Sequence, residues 1–266
     1  GLGPGDILWT VPNTFIASAN CARYCGADVD FVDIDARSRN MSASALADKL
    51  QRAAAQGRLP KIVVPVHFSG LPCDMAEIGQ LARQYGFFVV EDASHAVGAR
   101  YQSSSIGDCR HSDITVLSFH PVKIITTAEG GMALTNDDKL AERLGLLRSH
   151  GITRDPALMT HGMDGPWYYQ QVALGYNYRM TDLQGALGAS QMTRLDEYVA
   201  RRHVLAHRYD ELLQDLPVTT PWQHPDGYSG LHLYVIRLQL DKIQKSHLQV
   251  FEALRAKDII VNLHYI

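Results

Sequence analysis

Apolar and polar positions along the chain follow two periods in turn. The runs ILWTV (7–11), DVDFVDID (28–35), KIVVPVHF (61–68) and FFVVEDA (87–93) are β-branched or aromatic and too short for helices. Between them lie TFIASANCARYC (14–25), SASALADKLQRAAA (42–55) and DMAEIGQLARQYG (74–86), which carry helical spacing. Apolar runs without in–out alternation, separated by amphipathic helices, predict a parallel sheet covered on both faces. DITVLSF (113–119) and GGMALT (130–135) add two strands. A helix at 137–148, a polar Gly/Pro-bearing stretch at 150–170 and one long helix from Thr181 to Tyr209 follow. After Pro217, LHLYVIRLQL (231–240), a helix near 245–256 and DIIVNLHYI (258–266) predict a strand–helix–strand unit. The predicted fold class is α/β, with a large domain over 1–210 and the beginning of a smaller α/β domain over 211–266.

Composition narrows the possibilities. With 266 residues, 46% of them hydrophobic and 20% charged, there is enough apolar material for one large domain and part of a second. The 25 Lys+Arg nearly balance the 28 Asp+Glu, and no basic block occurs, which argues against a nucleic-acid or anionic-membrane surface. Apolar stretches such as FFVV (87–90) are far too short to cross a bilayer. Cys21, Cys25, Cys73 and Cys109 are too few for a disulfide framework. A soluble, cytoplasmic globular protein is expected. The chain opens on GLGPGDILWT without a methionine and stops within a strand-like run, so it is expected to be part of a longer polypeptide.

In doubly wound sheets, ligands sit beyond the carboxyl ends of the strands. FFVVED places Asp92 at such an end, followed by Ala-Ser-His. DITVLSFHPVK places Ser118 at another, with Lys123 five residues on. Neither a Walker-type loop nor a GxGxxG turn is present, which argues against nucleotide or dinucleotide binding of those kinds. A carboxylate, a hydroxyl and a lysine at strand ends suggest pyridoxal phosphate (PLP). A lysine amine can carry it as a Schiff base, and an acidic group can keep its pyridine nitrogen protonated. From spacing alone, a surface lysine and a helix-capping aspartate are an equally serviceable reading.

Three separated strings change that balance: EDASHAVGARY, SDITVLSFHPVK followed by EGGMALT, and LGYNYRMTDLQGALGASQMTRLDEYVARR. Together, and in this order, they resemble the DegT/StrS-type sugar aminotransferases, and the resemblance runs over essentially the whole chain. It implies a PLP-dependent transferase of the aspartate-aminotransferase type (fold type I) that aminates nucleotide-linked keto sugars. VPNTFIASANCARYCGADVDFVDID, HFSGLPCDM, RSHGITRD and GPWYYQQ are similar to the branch serving pseudaminic acid biosynthesis. The substrates implied are L-glutamate as donor and a UDP-linked 4-keto-6-deoxy-N-acetylhexosamine as acceptor, the alternative being another nucleotide-linked 3- or 4-keto sugar of perosamine or bacillosamine type.

Carried over residue by residue, the resemblance makes Lys123 the catalytic lysine that holds the cofactor and shuttles the proton. Asp92 would bind the pyridine nitrogen, and His95, where many relatives have Gln, would lie by the ring and its phenolic oxygen. Phe15 would stack on the ring and Ser118 would hydrogen-bond the phosphate. Asn177 would reach the phosphate bound in the neighbouring subunit of a homodimer. His120 and Arg179 are expected at the substrate. A Gly-Thr turn that cradles the phosphate in the family has no counterpart here. No metal is implied, and Cys21 and Cys25, four apart on one amphipathic segment, read as packing rather than as ligands. His67 is read either as a pocket residue or as a packed strand-end histidine. Arg148 and Arg154 are candidates for a diphosphate or carboxylate. Trp167, Tyr168 and Tyr169 are candidates for stacking on the base or sugar or for closing an interface. A dehydratase on the same scaffold would carry His in place of Lys123. A non-catalytic sugar-nucleotide-binding protein would be favoured by loss of Lys123 or Asp92, and both are present.

Overall fold

The computed structural model describes residues 1–265. Six strands form the main sheet: β1 (Ile7–Thr10), β2 (Asp28–Phe31), β3 (Ile62–Val63), β4 (Phe88–Asp92), β5 (Ile114–Ser118) and β6 (Gly131–Leu134). Their order is β2-β1-β3-β4-β5-β6. The first five run parallel and β6 turns back antiparallel on β5, so the sheet is mainly parallel, as the pattern predicts.

Helices α1 (Ala17–Tyr24), α2 (Ala43–Ala55) and α3 (Met75–Tyr85) follow the first three strands. Strand β1 shows how two layers form on one sheet, because successive side chains leave opposite faces. Leu8 joins Ala22, Ala27 and Val64 on the α1 side. Trp9 joins Leu46, Leu50 and Ile78 on the side of α2 and α3. In α2, Ala43, Leu46, Leu50 and Ala53 recur every three or four residues, and the Ser42 hydroxyl caps the helix by accepting the Ala45 amide. Burial of Leu46 and Leu50, both 0% exposed, stabilises this layer by about 1.5–3 kcal/mol each.

From β1 the chain crosses to β2 on one side and later returns to β3 on the other. The connections therefore part at the carboxyl ends of β1 and β3. Sheets of this kind leave their ligand crevice at such a point.

Several predicted elements come out shorter. KIVVPVHF pairs only at Ile62–Val63 and through a single bridge from Val66 to Asp92. Pro65 between them has no N–H to give, although its carbonyl accepts the Asp92 amide at 2.9 Å. Helix α4 (Asp138–Arg148) lies where expected. The predicted long helix is two, α5 (Asp182–Met192) and α6 (Leu195–Leu213). Thr193 bonds back to the Ser190 carbonyl at 2.8 Å, and Arg194 leaves helical geometry with φ −113° and ψ 8°. The break lets α6 lie against Gly98, where an added Cβ would meet Val199 at 2.8 Å and Leu195 at 3.1 Å.

The segment 231–240, read as a strand, pairs only at Arg237–Leu238, with Val218–Thr219. Its earlier part is tied to the sheet domain instead. Gly230 N–H bonds to the Gly70 carbonyl, Arg202 donates to the carbonyls of Leu231 and His232, and Arg39 donates to that of Val235. Backbone groups satisfied in this way have no need of a ladder. The strand predicted over 258–266 is absent among the described residues, and Ile266 lies outside them. Helix α7 (His247–Arg255) forms behind a Ser246/Gln249 capping box.

Gly70 is the hinge of this attachment. Its φ is +101°, and a Cβ there would stand 2.8 Å from the Leu231 nitrogen and 2.9 Å from the His95 carbonyl. Gly70→Ala is expected to cost roughly 1–3 kcal/mol and to release the 229–235 segment to proteolysis. Denaturant unfolding and a timed protease digest check this, and wild-type behaviour in both would contradict it.

Candidate active site

Asp92 ends β4 beside the switch point. One of its carboxylate oxygens accepts the Ser18 hydroxyl at 2.6 Å and the other accepts the Ser94 amide at 3.1 Å. Its backbone carbonyl accepts His67 N–H at 3.1 Å. Ser18 comes from α1, the helix that follows β1, and is itself linked to Thr14 at 2.9 Å. Sequence reasoning did not find Ser18. The available signal was a hydroxyl on the core-facing stripe of α1, one turn before the buried Ala22.

Lys123 follows β5, the strand beside β4. It is half-buried and forms no salt bridge among the described residues. Burial pushes its amine below the ordinary lysine pKa, while the nearby Asp92 carboxylate pulls the other way. His95, 7% exposed, faces the same space. Its Nδ1 accepts the Ser69 amide at 3.3 Å and its Nε2 meets the Tyr265 hydroxyl at 3.3 Å. Burial, with Lys123 and His264 nearby, lowers the His95 pKa to about 3. His232 packs its ring 4.5 Å from that of His95 and is lowered to about 2, by burial first and by His95 and Lys123 next. Its Nδ1 is buried without a partner. Burial pushes the Tyr265 phenol up to about 12, with Asp92 adding to the effect. Ser69, His232, His264 and Tyr265 were not picked out from the sequence, because they come from connections far from the strand-end motifs.

The other expected residues divide. Ser118 sits at the end of β5, and its hydroxyl accepts the His120 amide at 3.4 Å. Phe15 is 60% exposed, in the loop that leads to Ser18. His120 is exposed, 3.8 Å from Glu129. Asn177 and Arg179 lie on the surface, between the stacked rings of Tyr176 and Tyr178 and the start of α5. Neither belongs to the cluster around Lys123. His67 is the packed strand-end histidine, 0% exposed and hydrogen-bonded to Glu91 at 2.7 Å. Arg148 and Arg154 are exposed, Trp167 is 72% exposed, and Tyr168 pairs with His161 at 2.6 Å. Cys21 and Cys25 are free thiols, and no group of three His, Cys, Asp or Glu is placed to hold a metal among the described residues. Among the described residues no helix is long and apolar enough to cross a membrane. A cleft of about 910 Å³ opens at the β2 edge, where Arg23 pairs with Asp28 at 2.9 Å and Lys49 with Asp30 at 2.7 Å.

The cluster suits PLP on its own chemistry. An unpaired lysine with a lowered pKa gives up its proton more readily than an exposed one, Asp92 keeps lone pairs free for a protonated ring nitrogen, and His232 has a polar atom with nothing to bond. Solved relatives place the architecture among PLP-dependent transferases of fold type I. The chain belongs to the DegT/DnrJ/EryC1/StrS aminotransferase family, whose profile matches residues 1–266. The aminotransferases of this family use PLP. The chain is 40% identical over 243 residues to the GDP-perosamine synthase of Caulobacter vibrioides, covering 90% of this chain and 60% of that protein. It is 36% identical over 260 residues to the UDP-4-amino-4,6-dideoxy-N-acetyl-beta-L-altrosamine transaminase of Campylobacter jejuni, covering 97% and 65%. Among solved structures, PseC of Helicobacter pylori, an aminotransferase involved in the biosynthesis of pseudoaminic acid, superposes with a TM-score of 0.86 at 28% identity, covering 98% and 66%. The chain thus spans about two thirds of the length of the relatives it matches.

A lowered Lys123 pKa has a direct chemical consequence, because only the neutral amine reacts. In cofactor-free protein, reductive methylation of Lys123 is expected to reach its half-maximal rate below about pH 10.4, the ordinary lysine value. Asp92→Asn removes the charge that favours the ammonium, so the midpoint is expected to fall further. Peptide mass spectrometry across a pH series checks both, and a midpoint at or above the ordinary value would contradict the site's electrostatics.

Proposed function

We propose that this chain carries the catalytic core of a PLP-dependent sugar aminotransferase that moves an amino group from L-glutamate to C4 of a UDP-linked 4-keto-6-deoxy-N-acetylhexosamine. The reading rests on one observation above the rest: a half-buried, unpaired Lys123 beside an Asp92 that is already held by Ser18 and Ser94. When bound, the cofactor supplies an electron sink for the carbanion left when the substrate α-carbon loses its proton. Asp92 holds a negative charge against the ring nitrogen, and Ser18 keeps that carboxylate aimed. Lys123 Nζ takes the proton from the donor's α-carbon, and a lowered pKa favours the neutral amine that this step needs. His95 would lie by the phenolic oxygen, Phe15 against the ring and Ser118 at the phosphate. His120 and Arg179 are assigned to substrate. Asn177, exposed in its own subunit, reaches the phosphate in the partner subunit of a homodimer. Residues 1–210 form the large domain, 211–266 open the small one, and the protein works in the cytoplasm.

The UDP-sugar reading draws on the motif wording and on the altrosamine transaminase relative. The similarity to a GDP-perosamine synthase supports a second reading, the same chemistry on a GDP-linked 4-keto sugar. The full-length protein, given L-glutamate and a panel of UDP- and GDP-linked keto sugars, separates the two through 2-oxoglutarate release. The UDP-linked N-acetylated sugar is expected to lead by at least roughly tenfold in kcat/KM, and a lead for a GDP-linked sugar would establish the second reading.

The shared site has its own test. Mixed Asn177→Ala and Lys123→Ala subunits are expected to regain part of the activity that each variant lacks, because one site of a heterodimer carries neither change. Exchanged subunits without regained turnover would contradict a site shared between protomers.

A further inference from the structure

Beneath the strand ends lies a polar cluster that the amino-group chemistry leaves unused. Glu91 is 4% exposed and leaves β4 on the face opposite Asp92. One carboxylate oxygen accepts His67 Nε2–H at 2.7 Å, and the other accepts the hydroxyls of Thr115, at 2.9 Å, and Ser112. His67 Nδ1 accepts the Cys73 amide at 3.0 Å, so the ring presents its Nε2 proton to Glu91. Against the effect of burial, these donors hold the Glu91 carboxyl below its ordinary pKa.

The cluster anchors the loop 67–73. His67 N–H bonds to the Asp92 carbonyl at 3.1 Å, which couples the loop to the strand end. Asn40 grips it from the other side, accepting Phe68 N–H and donating to the carbonyls of Leu71 and Pro72. Within it, Ser69 takes a left-handed φ of 56°, and its amide meets His95 Nδ1. An N–H aimed at Nδ1 leaves no room for a proton there, so the proton of a neutral His95 must sit on Nε2. The groups around the ring are Lys123, His232, His264 and Tyr265, none of which favours a second proton.

We propose that Glu91 and His67 are positioning residues for His95. Through the Ser69 amide they fix its Nε2-protonated tautomer and so turn a hydrogen-bond donor toward the phenolic oxygen of PLP. The second half of this rests on the cofactor placement proposed above, whereas the tautomer is a property of the protein alone. Full-length protein labelled with [15N]histidine reports the tautomer by solid-state NMR, with His95→Gln identifying the resonances. Cofactor-free wild type is expected to show His95 unprotonated at Nδ1 and protonated at Nε2. Glu91→Gln and, as a second route, His67→Gln are expected to mix the tautomers, to shift the pH titration of the bound-PLP visible band and to weaken PLP retention roughly tenfold. Leu46→Ala, a buried control under α2, is expected to lower thermal stability with neither spectral change. A protonated Nδ1 in wild type, unchanged tautomers in both variants, or the same change in Leu46→Ala would overturn the proposal. Tautomers that mix while the visible band stays fixed would overturn the cofactor contact and leave the clamp standing.

Discussion

The Ser18–Asp92 hydrogen bond is the contact on which the site depends. A carboxylate and an amine at the ends of neighbouring strands would ordinarily collapse into an ion pair, and a lysine so paired would be a poor nucleophile and base. Here Asp92 is occupied by a hydroxyl at 2.6 Å and an amide at 3.1 Å, and Lys123 remains unpaired nearby. Its lowered pKa follows from being half-buried without a counter-ion in contact. The separation of these two groups is what their proposed roles require, Asp92 against a ring nitrogen and Lys123 with the protons.

The sheet makes that separation possible. Asp92 ends β4, and Lys123, helix-borne Ser18 and the loop bearing Ser69 follow β5, β1 and β3. They meet because parallel strands end on the same edge and the chain reverses its direction of travel between β1 and β3. The α2–α3 layer holds the strands from below through Trp9, Leu46, Leu50 and Ile78. The loop 67–73 then ties the 229–235 segment onto the same corner through Gly70. Stability and chemistry share this loop, which accounts for its complete burial.

Much of this was legible in the sequence, and the exceptions have physical causes. The strand runs stood out because strands buried on two faces are continuously apolar, and Asp92, His95 and Lys123 stood out because polar residues immediately follow such runs. Ser18 was hidden because a helix-borne hydroxyl announces no partner 74 positions away. LHLYVIRLQL has the composition of a strand, yet Arg202, Arg39 and Gly70 capture its backbone first. The break between α5 and α6 carries neither glycine nor proline, and it arises from Thr193 bonding back into its own helix and from Leu195 and Val199 packing on Gly98. Asn177 and Arg179 lie on the surface, outside the cluster that holds Lys123 and Asp92.

The central claim is that the amine at position 123 is where the cofactor is held. Borohydride reduction of the full-length protein purified with PLP, followed by peptide mapping, tests it most directly. The account predicts a single pyridoxyl-modified peptide, the one that spans SFHPVK and carries the group on Lys123. Modification of a different lysine, or none in protein that visibly retains PLP, would contradict it.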